Sequence, residues 1–110
     1  MGYKPTNNKY GACRTVVDGI SFMSRREAAR YKVLKAMEQR GEIKNLELQQ
    51  RFEIVPKHGK NRAAFYVADF VYDKADGEHV VEDCKGYRTD LYKLKKKMFE
   101  YRYDTEILET

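Results

Sequence analysis

Acidic residues interrupt two apolar, strand-like segments in the middle of the chain. Asp69 is the single charge in the run from Phe65 to Tyr72, and a carboxylate among apolar neighbours is costly unless a cation meets it. The second segment passes from two valines into Glu82 and Asp83, with Lys85 two positions on. Because side chains alternate along a strand, Asp83 and Lys85 share one face while Glu82 points to the other. A carboxylate and an ammonium are therefore predicted side by side on one rigid element.

Two carboxylates that face each other across a strand pair would suit metal-assisted hydrolysis. At about 5 Å and an effective dielectric near ~20, they repel by roughly 3 kcal/mol, so a cation must lie close by. Lys85 supplies one positive charge, and if Glu27 joins Asp69 and Asp83, two negative charges remain uncompensated. That balance suits Mg²⁺ (or Mn²⁺), which binds one or two carboxylates, waters and a phosphate oxygen. We therefore expect phosphodiester hydrolysis, with Lys85 orienting the attacking water or stabilising negative charge on the phosphate.

The same acids also admit a purely structural interpretation. Asp69 and Asp83 could end their strands and be satisfied by Lys85 and by backbone donors, with no metal, and spacing alone favours neither interpretation. No Ser/His/Asp or Cys/His arrangement competes for a catalytic role. His58 has no partner in the sequence, and Cys84 is expected to pack as a small apolar group.

The turn between the two acidic strands decides whether the carboxylates meet. A two-residue turn would pair Asp69 with Cys84 and send Asp69 and Asp83 to opposite faces. A three-residue loop over 75–77 pairs Asp69 with Asp83 instead, and it requires a left-handed residue at its last position, which is Gly77. We therefore predict a positive φ at Gly77 and both aspartates on one face.

Composition sets the broad class of the protein. A chain of 110 residues that is 42% hydrophobic is expected to form one globular domain. We assign that domain to 13–110 and a flexible N-terminal arm to 1–12. The net charge of +5 favours a polyanionic partner. Two distant cysteines and the lack of any membrane-length apolar run indicate a reduced, cytoplasmic setting.

Two elements are predicted ahead of the long strands. The run 15–22 places Asp-Gly between two short β-prone segments and predicts a hairpin. Ser24, with Glu27 three positions later, marks the start of a helix that continues to about Arg40 and ends at Gly41. Glu27 can cap this helix or reach a site on the sheet, and the sequence leaves both roles open.

Three further elements complete the predicted domain. A strand over 46–55 follows a turn at Asn45, a second helix runs over about 91–101, and a short strand closes the chain over 105–108. The residues that alternate on one face of the strand are Leu48, Gln50, Phe52 and Ile54. The apolar stripe of the second helix is Leu91, Leu94, Met98 and Tyr101.

Basic residues cluster in two places that could contact a phosphate backbone. One cluster is the hairpin tip over 57–62, and the other is the lysine-rich second helix with the loop before it. The candidate nucleic-acid-binding residues are Lys57, Lys60, Arg62, Arg88, Lys93, Lys96 and Lys97. A solvated basic surface is the alternative for both clusters.

In this chain Glu27, in a first predicted helix, is followed by Asp69 and then by Asp83-Cys84-Lys85. This order resembles the PD-(D/E)XK nuclease superfamily. More closely, the chain is similar to small phage-encoded members related to Holliday junction resolvases. The segments that carry this likeness are Val17-Asp-Gly-Ile-Ser-Phe, Ser24-Arg-Arg-Glu-Ala, Leu46-Glu-Leu-Gln, Tyr66-Val-Ala-Asp-Phe and Val81-Glu-Asp-Cys-Lys-Gly-Tyr-Arg-Thr-Asp. In this chain Ala68 replaces the superfamily's Pro, and Asp83 takes a position often held by Glu.

The resemblance implies a mixed α/β fold, restriction endonuclease-like, with an αβββαβ core. It implies metal ligation by Asp69, Asp83 and the backbone carbonyl of Cys84, with Lys85 as the catalytic lysine and Glu27 as a further acid. It also implies DNA as partner, a homodimer by analogy, and a phage protein in the bacterial cytoplasm.

We therefore expect a Mg²⁺-dependent DNA endonuclease, with branched DNA such as a Holliday junction among its candidate substrates. The alternatives are a non-catalytic nucleic-acid-binding module whose acids are structural, and a phage assembly protein on a vestigial nuclease fold. The sequence leaves open whether the substrate is a junction, a flap, a duplex site or RNA.

Overall fold

The computed structural model describes residues 14–110, so the arm predicted over 1–12 lies outside the described residues. The elements are β1 (Thr15–Val17), β2 (Ile20–Phe22), α1 (Arg25–Gln39), β3 (Ile43–Val55), β4 (Ala64–Lys74), β5 (His79–Asp83), α2 (Asp90–Tyr103) and β6 (Ile107–Glu109). Strands β1 and β2 form a separate hairpin, while β3, β4, β5 and β6 form one mixed sheet in that order. The predicted mixed α/β fold class and the order αβββαβ are confirmed. No helix within 14–110 has both the length and the apolar composition needed to cross a membrane.

The N-terminal hairpin and α1 follow their local signals. Asp18 and Gly19 form a two-residue turn, and both have positive φ, +54° and +77°, as the twist of a tight hairpin requires. Ser24 caps α1 by accepting the backbone N–H of Glu27 at 3.1 Å. Gly41, with φ +80°, follows the helix. These elements hold the first turn of α1, and hence Glu27, against the sheet.

The β4–β5 hairpin has the predicted three-residue loop. Phe70 pairs with Glu82, so Asp69 stands opposite Asp83 in the next position along the two antiparallel strands. Gly77 has φ +95°, as the last position of such a loop demands. The expectation that both aspartates share one side of the hairpin is confirmed.

The sheet carries a separate apolar cluster on each face, and β4 contributes to both. Phe70 and Tyr72 pack in the cluster that includes α1. Tyr66 and Ala68 are an even number of positions from Phe70, so a regular strand would place them on the same face. They pack instead in the cluster that includes α2. The apolar side chains of β4 therefore change face between Ala68 and Phe70, and Asp69 stands at that change.

Strand β3 changes face at the same level, which corrects the predicted alternation. Leu48 packs against the α1 cluster, whereas Phe52 packs against the α2 cluster. Gln49, between them, has φ +55°, and this left-handed residue rotates the strand. The predicted turn at Asn45 is likewise a bulge, with φ +60°, inside a strand that already begins at Ile43.

Of the four residues in the predicted apolar stripe of the second helix, Met98 packs against the core, and the prediction is wrong for the other three. Tyr92 and Phe99, two turns apart, face the sheet and are buried. Leu91, Leu94 and Tyr101 are instead exposed, at 61%, 53% and 90%. The two aromatic rings pack against the sheet because their burial removes more apolar surface from water than burial of the leucines would. An exposed apolar strip therefore runs along the outer side of α2.

Candidate active site

Asp69 and Asp83 form the centre of the site, at the end of β5. Asp83 is only 1% exposed, and its Oδ2 accepts a short hydrogen bond from the Tyr66 hydroxyl. Its Oδ1 has no hydrogen-bond partner among the described residues; the ammonium of Lys85 lies 3.6 Å away. Asp69 Oδ2 accepts the backbone N–H of Cys84 at 2.9 Å. A buried carboxylate oxygen without a donor is costly and marks a place for a cation.

The environment of Asp83 disfavours its charged form. Burial raises its pKa to about 7, and the adjacent carboxylate of Asp69 adds to this rise. The hydroxyl of Tyr66 and the ammonium of Lys85 oppose the rise without cancelling it. Two close carboxylates in a dry setting behave in this way when nothing compensates them. The raised pKa means that the Asp83 carboxyl keeps its proton until close to neutral pH.

Glu27 joins the acids from the first turn of α1. It is 7% exposed, and its Oε2 accepts the side-chain amide of Gln49 at 3.1 Å. Burial raises its pKa, as does the charge of Asp69, while the backbone N–H of Met23 and the charge of Lys85 oppose the rise. Its backbone N–H donates to the Ser24 cap, whereas its carboxylate lies with Gln49 and Asp69. Of the two positions that the sequence left open for this carboxylate, the structure has the one beside the sheet.

Gln49 bridges two of the acids. Its amide nitrogen donates to Glu27 Oε2 and also to Asp69 Oδ1, the latter at 3.3 Å. The left-handed backbone of Gln49 turns its side chain toward Glu27 on α1 and Asp69 on β4, out of the regular alternation of β3. Gln49 thus supplies a neutral donor where two carboxylates approach each other.

The donor set suits a hard divalent cation bound by few protein ligands. Within residues 14–110, no three or more His, Cys, Asp or Glu side chains form a ready-made metal site. Mg²⁺, however, needs only one or two carboxylates and keeps several waters. Asp69 and Asp83 supply these, and the partnerless Oδ1 of Asp83 is an available ligand. The Cys84 peptide, whose carbonyl was the third predicted ligand, is held beside the acids through its N–H.

An open cleft of about 230 Å³ leads to the acids. The ammonium of Lys85 lies in it, 4.9 Å from the centre of the Tyr92 ring, a cation–π contact that holds the side chain near Asp83. The prediction that the strand continues to Lys85 is wrong, because β5 ends at Asp83. The Lys85 ammonium nevertheless lies 3.6 Å from Asp83 Oδ1. The cleft is lined by Tyr66, Val67, Asp83, Lys85, Thr89, Leu91, Tyr92 and Lys95.

Glu82 lies on the other face of β5, as the alternation predicts. It is fully buried and forms a two-pronged ion pair with Arg30, at 2.5 and 3.0 Å. The hydroxyls of Tyr72 and Thr110 also donate to it, at 2.7 and 2.9 Å. With all of these donors in place Glu82 is satisfied, and it ties β5 to α1.

The predicted phosphate-contacting residues lie in two separate regions. Lys57, Lys60 and Arg62 are exposed at the tip of the β3–β4 hairpin. The others lie beside α2, where a hollow of about 370 Å³ is lined by Arg88, Tyr92, Lys93, Lys96, Lys97, Glu100 and Glu109. Arg88 pairs with Glu109 and Lys96 pairs with Glu100, both at 3.0 Å. Lys93 and Lys97 are exposed to solvent.

Sequence reasoning missed three residues of the site. Gln49 and Tyr66 reach the acids because β3 and β4 change face, and a strict period of two cannot reveal that change. Lys95 lines the cleft but is one of several adjacent lysines in the sequence. Only the polar pair Gln49-Gln50 in the middle of a long strand hinted at an irregularity.

One family model matches nearly the whole chain. It is described as "Protein of unknown function (DUF1064)" and covers residues 7–109. No curated protein and no solved structure matches the chain.

Proposed function

The chain belongs to the DUF1064 family, and we propose that it is a Mg²⁺-dependent phosphodiesterase that cuts DNA as an endonuclease. This is the chemistry of the PD-(D/E)XK superfamily that the sequence resembles. The observation that supports it best is the Asp69–Asp83 pair, in which Asp83 is buried, its Oδ1 has no donor among the described residues, and the ammonium of Lys85 lies 3.6 Å away. A buried carboxylate oxygen that lacks a donor is costly, and a divalent cation bound beside Lys85 would offset that cost.

Asp69 and Asp83 would hold the metal ion, Mg²⁺ or Mn²⁺. When bound, that ion polarises the scissile phosphate and makes a bound water more acidic. The Tyr66 hydroxyl fixes the orientation of Asp83, and the Cys84 N–H fixes Asp69. The carboxylates are thus pre-oriented, which reduces the reorganisation needed when substrate arrives.

Lys85 would act on the phosphate itself. Its contacts with Asp83 and with the Tyr92 ring keep the ammonium at the mouth of the acidic pair. From there it can orient the attacking water or stabilise negative charge that develops on the phosphate oxygens. Glu27, held beside Asp69 by Gln49, adds a further acceptor at the same place.

The basic residues would bind the DNA backbone. The hairpin tip and the α2 hollow lie on separate elements, and their exposed lysines can each neutralise phosphates. A DNA partner, and a homodimer that cuts two strands, are proposed from the superfamily resemblance. Binding of this type weakens steeply as salt is raised.

A nuclease assay tests this proposal. Purified protein is incubated with labelled branched, duplex and single-stranded DNA, with Mg²⁺ or with EDTA. We expect cutting only with Mg²⁺ and its loss in Asp83→Asn, with DNA binding retained. Asp104→Asn is a matched control, because Asp104 is exposed and asparagine tolerates its left-handed backbone, φ +50°. Cutting that persists in Asp83→Asn would contradict the proposal.

The α2 hollow supports one alternative, a non-catalytic nucleic-acid-binding module. Its basic residues do not depend on the acids. The same assay separates the two functions, since a binding module retains DNA at low salt yet leaves every substrate intact with Mg²⁺.

A further inference from the structure

Exposed apolar side chains border the cleft that leads to the acids. Val67 of β4 and Leu91 of α2 both line it and are 41% and 61% exposed. Tyr87, which is 82% exposed, lies in the loop between the cleft residues Lys85 and Thr89. Single exposed apolar residues are ordinary, but several at the mouth of one polar cleft indicate a binding surface.

The cleft is open to solvent, and Asp83 is the acid that lines it. Asp83 is 1% exposed, and the cleft volume of about 230 Å³ is below the roughly 300–1,000 Å³ of pockets that enclose a drug-sized molecule. Because Asp83 is buried, a phosphate must enter the cleft to reach it, and a flexible unpaired strand enters such a cleft more readily than a stiff duplex.

Cationic and apolar side chains line the same cleft. The ammonium groups of Lys85 and Lys95 stand beside Leu91 and Val67 in the cleft. This combination recognises a strand that offers phosphates and unstacked bases together, because aromatic groups stack on base faces and lysines follow the backbone.

A protein partner fits this surface less well. The cores of protein–protein interfaces are depleted in lysine, whereas Lys85 and Lys95 both line the cleft together with Leu91. The charge of the surface is complementary to a polyanion.

We propose that the cleft binds unpaired nucleotides of a single-stranded nucleic-acid segment, with Tyr87 stacking on a base and Lys85 and Lys95 contacting the backbone. This proposal rests on the proposed function in one respect. If Asp69 and Asp83 cut DNA, the phosphate that they act on lies in, or next to, the unpaired segment. Among the branched and linear substrates that the sequence left open, this favours those with single-stranded arms or junction strands that can open.

Binding is measured by fluorescence anisotropy with EDTA present, so that it does not depend on cutting. The probes are a dT oligomer and a rU oligomer of about 12 nucleotides and a duplex of equal length. The variants are Tyr87→Ala and Leu91→Ala. Tyr101→Ala is the matched control, because Tyr101 is a 90% exposed tyrosine near the other end of α2.

We expect tighter binding of the single strands than of the duplex, and roughly tenfold weaker single-strand binding in Tyr87→Ala and Leu91→Ala. Tyr101→Ala should bind like the parent. All three side chains are exposed, so thermal melting should be unchanged and loss of fold should not imitate the effect. Equal affinity for duplex and single strands, or unchanged binding in both cleft variants, would overturn the inference, as would self-association through Leu91 without nucleic-acid binding.

The two proposals fail in different ways. Single-strand binding through Tyr87 without Mg²⁺-dependent cutting would contradict the nuclease and leave the cleft assignment standing. If Tyr87→Ala cuts duplex and branched DNA at the parent's rate, the cleft assignment is contradicted and the nuclease proposal stands.

Discussion

Gln49 stands opposite Asp69 where β3 and β4 both change face, and its amide donates to Asp69 Oδ1 at 3.3 Å. The same amide reaches Glu27 Oε2 at 3.1 Å. The residue adopts a left-handed backbone, φ +55°, which costs a side-chain-bearing residue of order 1 kcal/mol. The arrangement is therefore maintained by the hydrogen bonds that it makes possible, and Gln49 positions two of the three acids.

Gln49→Ala should weaken Mg²⁺ binding about tenfold, because Glu27 and Asp69 lose their shared donor and can move apart. Gln49→Gly separates the strained backbone from the side-chain amide. Glycine adopts the positive φ without strain but supplies no amide donor, so we expect metal affinity to stay low. Isothermal titration with Mg²⁺ measures both, with Gln50→Ala, the next residue of β3, as control. Normal affinity in Gln49→Ala would contradict the positioning role.

Asp83→Asn should stabilise the metal-free protein at neutral pH. The folded-state pKa is raised from 3.8 to about 7, so between these values the folded state binds a proton that the unfolded state has lost, and stability falls as pH rises through this range. Asparagine carries no such cost, so its advantage should be absent near pH 4 and reach about 2 to 4 kcal/mol above pH 7. Urea unfolding from pH 4 to 8 measures this, and a pH-independent difference would contradict it.

Tyr66→Phe should lower stability by about 1 to 3 kcal/mol, because Asp83 then loses its hydroxyl donor inside the protein. The loss should be smaller in an Asp83→Asn background, where no buried charge needs the donor. A double-mutant cycle at pH 8 tests this coupling. Tyr101→Phe, at an exposed position, is the control, and additive effects would show that the Tyr66 hydroxyl does not support Asp83.

Lys85→Met should reduce DNA cutting by at least about 100-fold while changing DNA affinity only a few-fold, since one ammonium at the site acts on the reacting phosphate. Lys93→Met removes an equal charge from the exposed surface of α2 and should leave the rate nearly unchanged. Single-turnover cutting rates alongside equilibrium binding distinguish the two. A similar loss in both variants would assign Lys85 to general phosphate binding.

Glu82→Gln should cost about 2 to 4 kcal/mol of stability, because it breaks the ion pair with Arg30 and leaves that guanidinium without its partner. Glu82 lies on the face of β5 opposite the site, so Mg²⁺ affinity should not change. Chemical denaturation and metal titration on the same variant check both statements. A large loss of metal affinity would mean that Glu82 also acts on Asp83.

Short-range patterns predicted much of the fold. The Asp18-Gly19 turn, the Ser24 cap and the left-handed Gly77 follow from a few neighbouring residues, and the structure has all three. The turn at Gly77 had the largest consequence, because counting outward from it placed Asp69 opposite Asp83. The apolar side of α2 was predicted wrongly, since Leu91 and Tyr92 are both apolar and only packing against the sheet chooses between them.

The sequence by itself determined the register of the acidic hairpin and the chemical types at its centre, because turn geometry and strand period are local properties. Only the tertiary structure decided which neighbours the acids have. The change of face at Gln49 and Asp69 brings Glu27 from α1, Gln49 from β3 and Tyr66 from β4 to one place. No local pattern encodes that change, because it arises from two long strands that each pack one half against α1 and the other half against α2.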